Sequence, residues 1–450
     1  MRRVAGVALA ALLALVPAAG FAAGESPAAD AAAELAPECP PFEAGPVAPG
    51  APVRDPGIAP SRRGAPSGDP AFVSLADARD DGAAAVPGEA LLALPKLADG
   101  RVASDFQLAP GARIASSYFS PILCSRVVRV VGPAGVPPDA LVRRVPAGGA
   151  VVRNDVYRTA APELRPIGAG EDPYRALQYG LDRAGVEAAR AVADGAGARV
   201  ALLDSAADAA HRDLARVRSA PLAGGPAATP AAHGSMLAGI VGALAGNDFG
   251  IAGLAPGAEL ISIAACTPDP AGAGDACALA DLLRGVDRAW EEKAQVVNLS
   301  LVGPPNPLLR RAMDRLDQLG VLLVAAVGNE ATDVPRYPAA YPSVIGVGAI
   351  DRDGAPYARG NRGESVEVLA PGVEIVSSVP GDRFAFGDGT SLAAAHVAGM
   401  LAVAVAASGD PLAARTAFFQ VAQEGGGSLP VRAPALCPVL AKLGKPCPTR

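Results

Sequence analysis

Histidine is scarce in this sequence: His211, His233 and His396 are the three present among 450 residues. None stands in a His-Glu-x-x-His pattern, which removes the common helix-borne zinc hydrolases. The six cysteines include no Cys-x-x-Cys pair, so zinc and thioredoxin-like chemistry have no support. Aromatic residues make up 4% of the chain and the net charge is −6, with no basic stripe interleaved with aromatics. That balance argues against a nucleic-acid partner. The apolar run near the N-terminus falls short of the roughly 20 residues a membrane-spanning helix needs. "GAGAR" (195–199) precedes its strand instead of following it, so it is not a dinucleotide-binding loop. Ser391 is not the centre of a Gly-x-Ser-x-Gly turn either, because Ala393 occupies the last position.

Half of the residues are hydrophobic, enough for a sizeable buried core. "MRR", the apolar "VAGVALAALLALV" and the small residues of "PAAGFAA" form a signal peptide over 1–23, which sends the chain to the periplasm or outside the cell. In such an oxidising compartment the cysteines pair. Short loops favour Cys266–Cys277 and Cys437–Cys447, and Cys39–Cys124 follows by subtraction. Residues 24–85 are rich in Pro and Ala and too poor in large apolar groups to offset chain entropy, so disorder is expected there. Strand-like stretches over 86–165, around one poor helical stretch, read as a small α+β domain. From about 180 onward, short apolar runs such as "RVALLD", "ELISIAA", "QVVNLSL" and "VLLVAAV" alternate with helical stretches. This pattern predicts a parallel sheet covered on both faces, with chemistry at the carboxyl ends of its strands. A Gly-rich linker separates this unit from a cystine-containing tail at 426–450.

A nucleophilic serine needs a base within hydrogen-bond reach. Ser391 lies in "GDGTSLAAAHVAG", at the start of an apolar helix. His396 is five residues further along it, about 7.5 Å along the axis and on another face. It is therefore a packed helix histidine and not the base. His211, in "HRDL", takes a surface or turn role by default, leaving His233 at the entry to "HGSMLAGIVGAL". Asp204 ends the strand "RVALL", where a carboxylate can hold an imidazole Nδ1–H. Asn329, in "VAAVGNE", stands just past another strand and offers a side-chain N–H to an oxyanion.

Taken in order, "VALLDSAADAAHRDL", "HGSMLAGIVGAL", "VVNLSLVGP", "AAVGNE" and "GTSLAAAHVAG" resemble the motifs of the subtilisin-like serine proteases, the subtilases. The resemblance covers roughly 175–425. It implies an α/β, subtilisin-like three-layer fold with a central parallel sheet, preceded by the small α+β segment as an inhibitory prosegment. It makes Ser391 the nucleophile, His233 the general base and then acid, Asp204 its orienter and Asn329 the oxyanion donor. Ser300, Leu301, Val302 and Gly303 become the strand that pairs with a polypeptide substrate. The prosegment, spanning 86–165, is expected to block the cleft until cleavage somewhere in 157–175. No cofactor is implied by the triad; calcium is common in the family, but no loop here is assignable to it.

Several positions depart from the family pattern. Ala206 replaces a glycine, Ala395 a proline and Val302 a glycine, and Asp388 adds charge three residues before Ser391. Val302 and Asp388 keep open a second reading, a subtilase-fold binding or regulatory protein that is silent or limited to self-cleavage.

Overall fold

The computed structural model describes residues 85–97, 100–133, 135–159, 165–166, 174–269, 274–424 and 430–448. The signal peptide, Cys39 and nearly all of the 24–85 segment lie outside them. The described chain begins with strands β1 (Ala85–Pro95), β2 (Arg113–Ser120), β3 (Ser125–Val131) and β4 (Ala150–Arg158). They form an antiparallel sheet, with Leu92 opposite Val128 and Leu91 opposite Val152. Alternation divides its faces. Ala90, Leu92, Leu94, Val128 and Val130 close a small core with Leu141 and Val142. Leu91, Ala93, Val127 and Val152 turn the other way, into a larger core. The helical share of this segment, among the described residues, is one 3₁₀ turn at Pro138–Leu141.

The parallel sheet follows. Its strands are β5 (Arg199–Asp204), β6 (Val217–Ser219) and β7 (Glu259–Ala264). After β8 (Asp275–Ala278), which belongs elsewhere, come β9 (Val296–Leu299), β10 (Leu322–Ala326), β11 (Ile345–Ile350), β12 (Val368–Pro371) and β13 (Val431–Arg432). The spatial order is β13-β12-β11-β10-β9-β5-β7-β6, with every pairing parallel. Along β5, Val200 and Leu202 enter one core while Ala201 and Leu203 enter the other. A strand buried on both faces must read as a continuous apolar run, which is why "RVALLD" shows no polar alternation.

Helices α1 (Ala232–Gly242) and α4 (Thr390–Ser408) cover one face; α2 (Leu279–Glu291) and α3 (Pro307–Gln318) cover the other. Thr390–Val405 of α4 is buried without interruption, and an all-round apolar helix belongs in such a core. The helix is long and apolar enough to cross a membrane, yet 89% of that window is buried inside the fold. α3 starts on Asn306, whose side chain accepts from the Leu308 and Leu309 N–H groups, with Pro307 in the first turn.

The chain runs from β5 outward to β6 and β7, then returns across β5 to build β9 through β12. The strand order therefore reverses between β5 and β9, and the crevice beyond their carboxyl ends is where such sheets bind ligands.

Cystines close Cys266–Cys277 and Cys437–Cys447. Cys124 is disulfide-bonded as well. The tail beyond 426 does not stand apart from the unit before it. β13 is an edge strand of the parallel sheet, and Leu436, Val439 and Leu440 are buried in its main core.

Candidate active site

Asp204 sits at the carboxyl end of β5 and His233 in the first turn of α1. His233 Nδ1 lies 2.7 Å from Asp204 Oδ1, and both side chains are buried. Glycine makes this approach possible: a Cβ on Gly234 would come within 2.0 Å of the Ser205 carbonyl oxygen. Ser205 adds two donors at the same carboxylate oxygen. Its N–H and hydroxyl donate to Asp204 Oδ1 at 2.8 and 3.1 Å. Burial alone would lower the His233 pKa, but the charge and hydrogen bond of Asp204, helped by Asp275, raise it above the ordinary value. His233 Nε2 is buried and has no hydrogen-bond partner among the described residues.

Ser391 is the second residue of α4. Its hydroxyl donates to the Ser300 carbonyl at 3.3 Å, and the Ser300 hydroxyl donates back to the Ser391 carbonyl at 3.0 Å. Asn298 steadies this exchange by donating to Ser300 Oγ at 2.9 Å. The helix start and the segment after β9 are thus tied together directly.

Asn329 follows Gly328, whose φ of 107° and crowded surroundings favour glycine; a Cβ there would meet the Asn361 amide nitrogen at 2.5 Å. The Thr390 N–H and hydroxyl both reach Asn329 Oδ1 at 3.0 Å. Since Thr390 N–H can only donate, it fixes the amide with Nδ2 turned away from it. The Thr390 hydroxyl in turn accepts from the Gly328 N–H at 3.1 Å. Asn361 braces the same loop, accepting from the Glu330 and Thr332 N–H groups and donating to the Val327 carbonyl. Thr390 lies inside a motif already quoted; Asn361, far along the chain, gives no local signal.

A cavity of about 300 Å³ is lined by Ser391, Asn329, Ser300, Leu301, Val302 and Thr159, among others. Strand β4 runs into it. Arg158 and Val302 exchange two backbone hydrogen bonds, each 2.8 Å, as an antiparallel bridge. On its other edge β4 pairs with β8, Tyr157 opposite Cys277. Tyr157 is fully buried, donates to the Pro304 carbonyl at 3.0 Å, and packs where a Gly303 side chain would stand. Leu301 is buried, while Gly303 pairs with Tyr337.

His396 is buried, binds the Leu392 carbonyl at 2.8 Å, and desolvation drives its pKa down to about 4. His211 has a turn role but is not on the surface: it is 1% exposed. Its Nδ1 accepts from the Asp213 N–H and its Nε2 donates to the Arg383 carbonyl. Asp388 accepts from the Glu374 N–H at 2.6 Å and lines the cavity. Ala206 does not have a positive φ, so it meets no glycine requirement. Glu330 faces the cavity with its charge engaged by Asn361 and Arg336.

Calcium takes six to eight oxygen ligands. Among the described residues, the one cluster of three candidate metal ligands is Asp204, His233 and Asp275. Asp204 Oδ1 there already serves His233 and Ser205, and an imidazole replaces an oxygen, so the group does not fit calcium.

The comparisons with known proteins agree with this architecture. The chain is 34% identical over 218 residues to subtilisin E of Bacillus subtilis (strain 168), covering 46% of this chain and 55% of the relative. It thus spans about half the length of that relative. Thermitase of Thermoactinomyces vulgaris is 35% identical over 239 residues, covering 51% of this chain and 82% of thermitase. The crystal structure of fervidolysin from Fervidobacterium pennivorans, described as a keratinolytic enzyme related to subtilisin, shares the fold. It superposes with a TM-score of 0.63 at 24% identity, covering 82% of this chain and 62% of that one. A family model described as the subtilase family matches residues 195–422, and the chain belongs to that family.

Proposed function

We propose that the protein is an exported serine endopeptidase that hydrolyses peptide bonds through Ser391, His233 and Asp204. The observation that carries this reading is the buried Asp204–His233 pair, whose Nε2 is uncommitted within the described residues. Asp204 keeps the Nδ1 proton in place, so Nε2 is the nitrogen that takes the proton of the attacking hydroxyl. Ser391 must turn from the Ser300 carbonyl to Nε2, and catalytic hydrogen bonds of this kind tighten only with substrate in place. The Ser391 oxygen attacks the carbonyl carbon; the proton held by His233 then passes to the leaving amine, giving an acyl-enzyme. Water repeats the sequence and frees the acid. The Asn329 Nδ2, oriented by Thr390, donates to the carbonyl oxygen as it gains charge. Because His233 must be neutral to act as base, activity fails as the pH falls through its raised pKa.

Residues 86–165 act in this reading as an inhibitory prosegment. The Arg158–Val302 bridge is how an added substrate strand would be held, and Ser300–Gly303 supply the receiving edge. The bond cut on maturation falls within 157–175. The test is expression of the full chain beside Ser391→Ala. The wild type is expected to lose the leading segment while the variant keeps it. A folded wild type that keeps it and cleaves no added peptide would favour the silent, regulatory reading.

A further inference from the structure

The strand pairing that brings β4 into the cleft also places one unassigned acid beside it. β8 and β4 run antiparallel, with Ala278 opposite Val156, Cys277 opposite Tyr157 and Ala276 opposite Arg158. One step further, the same register sets Asp275 opposite Thr159. That step is hydrogen-bonded: the Thr159 N–H donates to the Asp275 carbonyl at 3.0 Å, and the Asp275 N–H donates to Thr159 Oγ1 at 2.9 Å. Directly opposed residues on antiparallel strands send their side chains to the same face, about 5 Å apart at Cβ. The Asp275 carboxylate therefore flanks whatever side chain a bound polypeptide carries in the Thr159 position.

This face is also that of the catalytic pair. One ligating atom each of Asp204, His233 and Asp275 lie within 4.8 Å of one another, and all three residues are buried. Two carboxyl groups here share a single imidazole. Burial and the charge of Asp204 push the Asp275 carboxyl above its ordinary range, against the opposing pull of the Ser205 hydroxyl and His233. Such a pair is relieved by a cation. Thr159, itself buried, brings only a neutral hydroxyl to the position.

We propose that Asp275 is a specificity-determining residue, selecting a basic side chain, lysine or arginine, at the substrate position that Thr159 occupies. This rests on the endopeptidase reading, and it explains why the enzyme's own strand need not be its best substrate. A charge-assisted hydrogen bond is worth about 1.5–3 kcal/mol, so a discrimination of roughly tenfold or more is expected.

The test uses peptides of sequence VYRTAAPE, residues 156–163, with the threonine replaced by Lys, Leu or Asp. The processed enzyme should cleave the Lys peptide about tenfold or more faster than the Leu peptide in kcat/KM, with Asp slowest. Asp275→Asn should collapse the Lys-to-Leu ratio; a ratio left unchanged would overturn the proposal. A second readout needs no catalysis. In the full chain carrying Ser391→Ala, Thr159→Lys should lower the thermal midpoint more with Asp275→Asn than with Asp275 intact, and equal shifts would overturn it. A wild-type chain that cleaves none of the peptides contradicts the endopeptidase reading, while the thermal cycle still decides Asp275.

Discussion

The two sheets of this protein are closed in different ways. The parallel sheet has its own helices on both faces, α1 and α4 on one and α2 and α3 on the other. The leading antiparallel sheet closes one face with its own Leu141 and Val142, but its other face enters the cluster that holds Leu279, Leu283 and Val286 of α2. Asp287 of α2 marks that join, accepting from Ser120 Oγ at 2.9 Å and the Ile122 N–H at 3.2 Å. One unit carries a complete core, and the other completes its core by docking. The segment that docks also carries β4, whose Arg158 bridges to Val302 at the cleft.

Variants of the two units therefore fall into two classes. Tyr157→Ala should act on docking, because its fully buried ring fills the space beside Gly303. Removing such an aromatic costs about 3–5 kcal/mol. In a Ser391→Ala chain, calorimetry should then show the leading segment unfolding ahead of the rest; one unshifted transition would break the comparison. Asn329→Ala should act on chemistry. Losing an oxyanion donor costs about 10²–10³ in kcat, a figure taken from subtilisin itself, a relative of this chain. Steady-state kinetics should show that loss with KM little changed.

A further expected effect is a pH dependence at the join. Burial raises the Asp287 carboxyl from 3.8 to about 8, against the hydrogen bonds from Ser120 and Ile122. The docked state therefore binds a proton that the undocked state releases, and docking weakens as the pH rises between those two values. The thermal midpoint of the Ser391→Ala chain should fall across that window, and Asp287→Asn should flatten the fall.

Much of the parallel unit was legible because its physics is local. "RVALLD" and "QVVNLSL" are buried on both faces, so each reads as an apolar run. β13 was not legible: two residues after a glycine-rich stretch carry no periodicity, and only the edge of β12 makes them a strand. The one poor helical stretch of the leading segment, around "GVPP", is a 3₁₀ turn over Pro138–Leu141. Within the site, Asp204, His233, Asn329 and Ser391 announce themselves through strand ends and helix starts. Asp275 does not, because its meaning depends on the register of β4 against β8. Nor does Asn361, which acts on a loop 31 residues before it.

On the endopeptidase reading, the Asp204–His233 pair activates Ser391 and no other hydroxyl. The most direct measurement is fluorophosphonate labelling of the processed protein, with the modified peptide identified by mass. A single adduct is expected, on Ser391, and it should disappear in His233→Ala. An adduct on another serine, or undiminished labelling of Ser391 in His233→Ala, would contradict it.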